Sequence, residues 1–305
     1  MRAIAIGNFD GVHRGHLALL ERARVLAAAE GLEASALTFE PHPADVLSGK
    51  STPRLAGPVR KRTLLSLSVP HVWVEPFTPA LALETPREFA TRLLSGTLGV
   101  RHVVVGDNFR FGHRRSGDID TLRELGAELG FEVHPVAMQA EGGISLSSSR
   151  ARTALAEGRP EEATMVLGRY HALFGEVVHG DARGRTLGVP TCNLLESAEM
   201  FPGRGIYAVL VGRGGPERPI TKFARGVASV GTRPTIDPNQ TRDSVEVHLF
   251  DVNEDLYGQI LSVAFVSKLR DEERYDSLEA LTRQMRVDLE QARELLIHAP
   301  EEPLA

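Results

Sequence analysis

Two histidines three residues apart, His13 and His16, lie in the run Gly7-Asn8-Phe9-Asp10-Gly11-Val12-His13-Arg14-Gly15-His16, directly after a short β-rich stretch. That is a strand-to-helix junction, where the first backbone N–H groups have no intrahelical partner and favour an anion. Gly11 and Gly15 permit close approach, and imidazoles there can hydrogen-bond phosphoryl oxygens while charge moves to a leaving group. The direct reading is a nucleotide site. The alternatives are a turn-stabilising histidine pair or half of a metal site, and zinc would require further ligands at a suitable spacing.

Other groups with chemistry are spread along the chain. Ser148 and Ser149 can cap a following helix, either as a plain N-cap followed by surface arginines or with their hydroxyls offered to phosphate and Arg152 as a permanent cation. Phe109 and Phe111, two apart on an extended stretch, face one side, either as core or as a platform for a ring. Thr191 and Asn193 in Pro190-Thr191-Cys192-Asn193 would point the same way, either as part of a loop entering a strand or as two neutral oxygens suited to Mg²⁺ held mainly by nucleotide phosphates, while Cys192 faces the other side. In Ser244 to Asp251, Glu246 shares a face with His248 while Val245, Val247 and Leu249 share the opposite one. On a substrate cleft that carboxylate could take a proton from an attacking hydroxyl; elsewhere it is a solvated strand residue.

The elements that must position these groups change character near Gly168. Up to that point short β-rich runs (Ala3 to Ile6, Ala34 to Phe39, His71 to Val74, His102 to Val105, Glu132 to Val136) alternate with helical patterns, an α/β parallel-sheet grammar. Leu17, Leu20 and Ala27 fall near one face of the first helix and Gly31 can end it. Residues 151–167 read as two short helices broken at Gly158-Arg159-Pro160. Beyond Gly168 successive extended runs, Gly175 to Val178, Ile206 to Val211, Ala224 to Val230, Val245 to Val252 and Leu261 to Val266, predict an antiparallel β domain, followed by one helix from about Ser277 to Ile297. The expected domains are 1–168 and 169–305.

With 305 residues, 42% of them hydrophobic, the chain is long enough for two cored domains, which excludes small stapled scaffolds and disordered classes. A formal charge of −5 offers no global basic field, so nucleic acid is not an expected partner. No apolar run approaches a membrane span, and Cys192 is the sole cysteine, so the expectation is a soluble protein of the reducing cytoplasm. There is no Gly-x4-Gly-Lys-Ser/Thr loop, no Gly-x-Gly-x-x-Gly and no Gly-x-Ser-x-Gly elbow, which sets aside Walker ATPases, dinucleotide dehydrogenases and α/β hydrolases.

The segment from Gly7 to His16 resembles the HxGH signature of nucleotidyltransferases. Together with Thr38-Phe39-Glu40-Pro41-His42-Pro43, Gly106 to Gly112 and Leu146-Ser147-Ser148-Ser149-Arg150-Ala151-Arg152, it looks like the FMN adenylyltransferase module of bacterial FAD synthetases. The last stretch is similar to the ISSTxxR element, with Leu146 and Ser149 where Ile and Thr are usual. The second half resembles a riboflavin kinase: Pro190-Thr191-Cys192-Asn193 is similar to the PTAN element, and Glu246 falls on the catalytic-base position. Gly231 to Thr235, Leu256-Tyr257-Gly258 and Leu269 to Glu272 support the match.

The resemblance implies a Rossmann-like nucleotidyltransferase domain, then an antiparallel β-barrel kinase domain with a C-terminal helix, and the bifunctional riboflavin kinase/FMN adenylyltransferase activity. It implies riboflavin, FMN, FAD and ATP as partners and Mg²⁺ as cofactor. His13, His16 and Glu246 would be catalytic; Gly7, Asp10, Gly15, Asn108, Ser148, Ser149, Arg152, Gly184 and Thr191 would bind nucleotide. Phe39, Pro41, Pro43, Phe109 and Arg270 would bind flavin, and Thr191 and Asn193 the metal. The alternatives are a riboflavin kinase whose first domain binds nucleotide or a partner without turnover, a flavin-binding module without ATP turnover, and a tRNA-directed HxGH enzyme, which would want an anticodon-binding region and a KMSKS-like loop, the nearest run to which, Val266-Ser267-Lys268-Leu269, lies in the β half.

Overall fold

The computed structural model describes residues 1–137, 140–141, 144–178, 191–194, 197–234 and 241–299. In chain order the elements are β1 (Arg2–Ile6), α1 (Arg14–Glu30), β2 (Glu33–Glu40), α2 (Pro43–Ser48), α3 (Pro58–Ser66), β3 (His71–Pro76), α4 (Pro79–Leu83), α5 (Pro86–Phe89) running into a π-helical stretch (Ala90–Thr97), β4 (Val100–Gly106), α6 (Ile119–Leu129) and β5 (Glu132–Val136). They continue with a small ribbon, β6 (Ala140–Glu141) and β7 (Ile144–Ser145), then α7 (Ser148–Ala156) and α8 (Pro160–Leu167). The last are β8 (His171–Val178), β9 (Cys192–Leu194), β10 (Gly205–Arg213), β11 (Thr221–Pro234), β12 (Thr241–Leu249), β13 (Ile260–Arg270) and α9 (Leu278–Ile297). Contacts group them into two units, Met1–Pro53 with Lys61–Ser147, and Arg54–Arg60 with Ser148–Ala305.

In the first unit the parallel sheet has the order β3-β2-β1-β4-β5. Ala3 to Ile6 of β1 are fully buried, as a strand covered by helices on both faces must be. The strand order reverses at β1, whose neighbours are β2 and β4, so the loops leaving β1 and β4 diverge and open a crevice at the C-terminal edge. α1 buries Leu19, Leu20, Ala23 and Ala27 and stops at Gly31, whose φ of 66° lets its N–H donate to Ala27 O.

In the second unit six antiparallel strands close into a barrel in the order β10-β11-β12-β9-β8-β13, which leaves no free sheet edge. Alternate residues such as Val209, Val211, Val245, Val247, Val263 and Phe265 fill its interior. α9 starts at Ser277, whose Oγ accepts from Ala280 N at 3.1 Å, and buries Ala292 and Leu296 against the outer surface with Leu210 and Ala264. The expected extended run Val245 to Val252 ends as a strand at Leu249, because the chain turns through Phe250 and Asp251, the latter at φ 59°. The helix pair α7 and α8 breaks where Gly158 and Pro160 place it.

Candidate active sites

His13 is the N-cap of α1, with extended backbone (φ −73°, ψ 170°). Its Nδ1 accepts from His16 N at 3.3 Å, and His16 Nδ1 accepts from His13 N at 3.3 Å. This is a capping box built from two imidazoles in place of the usual Ser/Thr and Glu. Because each Nδ1 is an acceptor, the proton of each neutral ring sits on Nε2, the side that can donate to a phosphoryl oxygen. The rings stack at 3.6 Å between centroids and 19°. A Cβ on Gly15 would come within 3.1 Å of the His13 ring and of Leu146 O, a tight contact that a side chain could make only by displacing one of them slightly.

The loop that delivers this pair is tightly wound: Phe9 and Val12 adopt φ of 51° and 40°, costly values for residues with side chains. Burial of Phe9, whose ring lies edge-on to His16 at 5.1 Å, offsets the strain, and Asp10 is buried beside it. Gly7 N donates to Leu37 O at 3.1 Å, tying the loop to β2. Lys61, which sequence reasoning passed over, is buried with its Nζ 2.5 Å from a Glu40 carboxylate oxygen and donates to Phe39 O (3.1 Å) and Asn8 O (3.4 Å). One compact ammonium with three donors thus holds the end of β2 against the histidine loop. The available signal was compositional: Lys occurs only four times against 31 Arg, and a three-acceptor pocket suits an ammonium better than a planar fork.

Other expected residues follow β2 and β4 at the same edge of the sheet, or open α7 in the second unit. After β2, Phe39 is half-buried with its ring edge-on to Phe77 at 6.0 Å, Pro41 is exposed, and Pro43 opens α2, capped by His42 Nδ1 accepting from Ala44 N at 3.1 Å. After β4, Asn108 is exposed in a turn closed by Phe109 N donating to Gly106 O at 3.0 Å. Phe109 stacks on Phe111 at 5.5 Å and 17°; Phe111 belongs to the core, and Phe109 is only half-buried. α7 begins at Ser148, so Ser148 and Ser149 occupy its first turn and Ser147 precedes it. Arg152 Nη2 donates to Ser149 Oγ at 3.4 Å, and these three residues fall in the second unit.

In the barrel, Glu246 of β12 is the direct cross-strand partner of Asn193 of β9. The flanking Val245, Val247, Cys192 and Leu194 point to the interior, so Glu246 and Asn193 share the outer face. Asn193 is nevertheless buried, and Glu246 half-buried. Thr191, half-buried, enters β9 one residue before Cys192, whose thiol burial pushes up and so keeps protonated. The side-chain oxygens of Thr191 and Asn193 are a neutral, hard donor set, which fits Mg²⁺ carried mainly by nucleotide phosphates. Gly184 lies outside the described residues, as do the neighbouring positions up to Pro190. Arg270 lays its guanidinium on Asp288 of α9 (Nε–Oδ1 2.9 Å, Nη2–Oδ2 2.8 Å), and this pairing raises its pKa further.

The fold defines a class of two-unit protein: a parallel-sheet α/β unit followed by a closed antiparallel β-barrel with a C-terminal helix. The FAD synthetase family model matches residues 1–150 and the riboflavin kinase model residues 167–296. The bifunctional riboflavin kinase/FMN adenylyltransferase of Escherichia coli (strain K12) is 39% identical over 294 residues, covering 95% of this chain and 91% of that protein. Its namesake from Bacillus subtilis (strain 168) is 32% identical over 295 residues, covering 95% and 90%. The chain belongs to the bifunctional riboflavin kinase/FMN adenylyltransferase family. Among solved structures, a Streptococcus pneumoniae protein described as a macrolide-efflux protein matches with a TM-score of 0.85 at 29% identity, covering 96% of this chain and 94% of that one. Among the described residues of the present chain, no helix is long and apolar enough to cross a membrane.

Proposed function

We propose that the chain makes FAD from riboflavin in two ATP-dependent steps, with Glu246 as the base of the first and His13 and His16 as the charge-stabilising pair of the second. The observation that carries this is the presence of both family matches, FAD synthetase and riboflavin kinase, side by side in one chain. In the kinase step the riboflavin 5′-hydroxyl gives its proton to Glu246 as its oxygen attacks the γ-phosphorus of ATP; the bond to the β-phosphate oxygen breaks, leaving FMN and ADP. Thr191 and Asn193 would hold Mg²⁺, which when bound neutralises phosphate charge. The cross-strand register of Glu246 and Asn193 supports placing base and phosphate-metal donor together.

In the second step an FMN phosphate oxygen attacks the α-phosphorus of another ATP and pyrophosphate leaves. The attacking group is already an anion, so no side-chain nucleophile is required. His13 and His16 donate from Nε2 to the oxygens on which charge builds, and the reciprocal cap supports that role by fixing both tautomers. Gly7, Asp10, Gly15, Asn108, Ser148, Ser149, Arg152, Gly184 and Thr191 are assigned to nucleotide, and Phe39, Pro41, Pro43 and Phe109 to the flavin ring. Arg270 is assigned to the flavin of the kinase step on the family resemblance, with its guanidinium held in place by Asp288. A lone half-buried thiol suits a reducing cytoplasm.

The test is to incubate the purified chain with riboflavin, ATP and Mg²⁺ and separate the flavins over time. FMN followed by FAD is expected. FMN accumulating without FAD, even with pyrophosphatase and fresh ATP, would reduce the reading to a riboflavin kinase, and no product from riboflavin or from supplied FMN would remove it.

A further inference from the structure

A second cluster of metal-ligating side chains lies in the first unit, towards the N-terminal ends of β4 and β5, away from the edge that carries His13 and His16. His102 of β4 pairs in register with Glu132 of β5, and His134 follows two residues on, so all three share one face of adjacent strands. His102 Nδ1 is 3.0 Å from His134 Nε2, and both nitrogens are 3.8 Å from Glu132 Oε2. His102 is 1% exposed. The nearest point equidistant from three atoms so spaced lies in their plane about 2.1 Å from each, and points just off that plane stay within the range of Zn²⁺ bonds to imidazole nitrogen and carboxylate oxygen.

The surroundings are arranged for the same point. Glu132 turns its other oxygen, Oε1, to Arg101 Nη2 at 3.5 Å, leaving Oε2 for the cluster. Glu30, the last residue of α1, holds Oε2 3.8 Å from Arg101 Nε and Oε1 3.0 Å from His102 Nε2. That last contact is short but out of line, and His102 Nε2 makes no hydrogen bond although it is buried. A carboxylate behind the distal nitrogen of a ligating histidine is the usual outer-shell partner at zinc, and a small rotation of an exposed glutamate completes it.

We propose that His102, His134 and Glu132 bind a borderline divalent transition ion, Zn²⁺ by chemical class, which staples β4 to β5. Two imidazoles and one carboxylate select against Mg²⁺ and Ca²⁺, which take oxygen ligands, so the ion does not compete with the Mg²⁺ of ATP. Three protein ligands leave a fourth tetrahedral position to water. Glu30 and Arg101 are positioning residues, acting through His102 and Glu132.

The test is direct titration of the full, metal-stripped chain with Zn²⁺, and in parallel with Co²⁺, whose visible absorption is intense when tetrahedral. One equivalent of Zn²⁺ should bind at micromolar concentration, raise Tm, and displace the Co²⁺ spectrum. Binding should weaken at least about tenfold in Glu132→Gln and in His134→Ala and should survive in His16→Ala. His134 is half-buried and Glu132 exposed, so Glu132→Gln keeps the test open should His134→Ala fail to fold. No uptake at micromolar Zn²⁺, uptake unaffected by both cluster variants, or uptake lost in His16→Ala would each overturn the proposal, the last by placing the ion at the catalytic pair.

Discussion

His16 has two separable jobs, and two substitutions at that one position pull them apart. As the third residue of α1 it accepts from His13 N, closing the cap; as an imidazole it is assigned to the phosphoryl oxygens of the adenylyl transfer. His16→Ala removes both. His16→Gln restores an acceptor where Gln is a standard capping-box residue, without restoring a ring. Losing a cap costs about 1 kcal/mol, which lowers Tm by about 4 °C for a unit of this size and leaves the chain folded at 25 °C. Losing one preorganised donor to developing charge costs about 10²–10³ in rate, roughly 3–4 kcal/mol.

The two contributions therefore differ in both size and readout. His16→Ala should lower Tm and cut conversion of supplied FMN to FAD by at least about a hundredfold. His16→Gln should recover most of the lost Tm and little of the lost rate, and FMN formation from riboflavin should stay near wild type in both. The assay is chromatographic separation of FMN and FAD under saturating ATP, alongside thermal melts. If His16→Gln recovered adenylylation together with Tm, the histidine pair would be a cap that happens to be aromatic, and the catalytic assignment of Nε2 would be wrong.

Glu246→Gln keeps shape and strand register but cannot take a proton; FMN formation should drop about 10²–10⁴-fold while adenylylation of supplied FMN persists, measured in the same assay. Gly15→Ala sets a gain in helix propensity of about 1 kcal/mol against crowding of the His13 ring, so stability should change little while adenylylation falls about tenfold, and unchanged kinetics would argue against that close approach. His171 is buried, its Nε2 2.8 Å from Met200 O; burial first, and Arg169 to a lesser degree, depress its pKa to about 4. The fold holds it neutral, so its contribution is fully present above the unfolded value of about 6.5 and is lost as pH falls towards 4, about 3 kcal/mol in all. Denaturant melts at pH 7, 5.5 and 4 should show this slope, and His171→Gln should flatten it.

What the sequence disclosed follows how local each arrangement is. The histidine pair was legible because a cap and a three-residue spacing are properties of one helical turn, and Gly15 and Gly31 announce themselves within that same helix. Alternation in β12 correctly assigned Glu246 to the face opposite Val245 and Val247, but its pairing with Asn193 depends on register between distant strands, which no single run encodes. The same limit hid Lys61, whose acceptors lie on two separated segments, Asn8 and Phe39-Glu40, and the His102–His134 contact, which exists only because β4 and β5 are neighbours. Arg270 shows the same limit: resemblance assigned it to flavin, and its pairing with the buried Asp288 of α9 is a long-range contact that no single run encodes. Removing Asp288 would leave the half-buried Arg270 guanidinium without its carboxylate, so a flavin role for Arg270 has to work through a side chain already fixed in place. Fixed donors suit a kinase of this kind, because positioning, more than covalent chemistry, is what phosphoryl transfer asks of the protein.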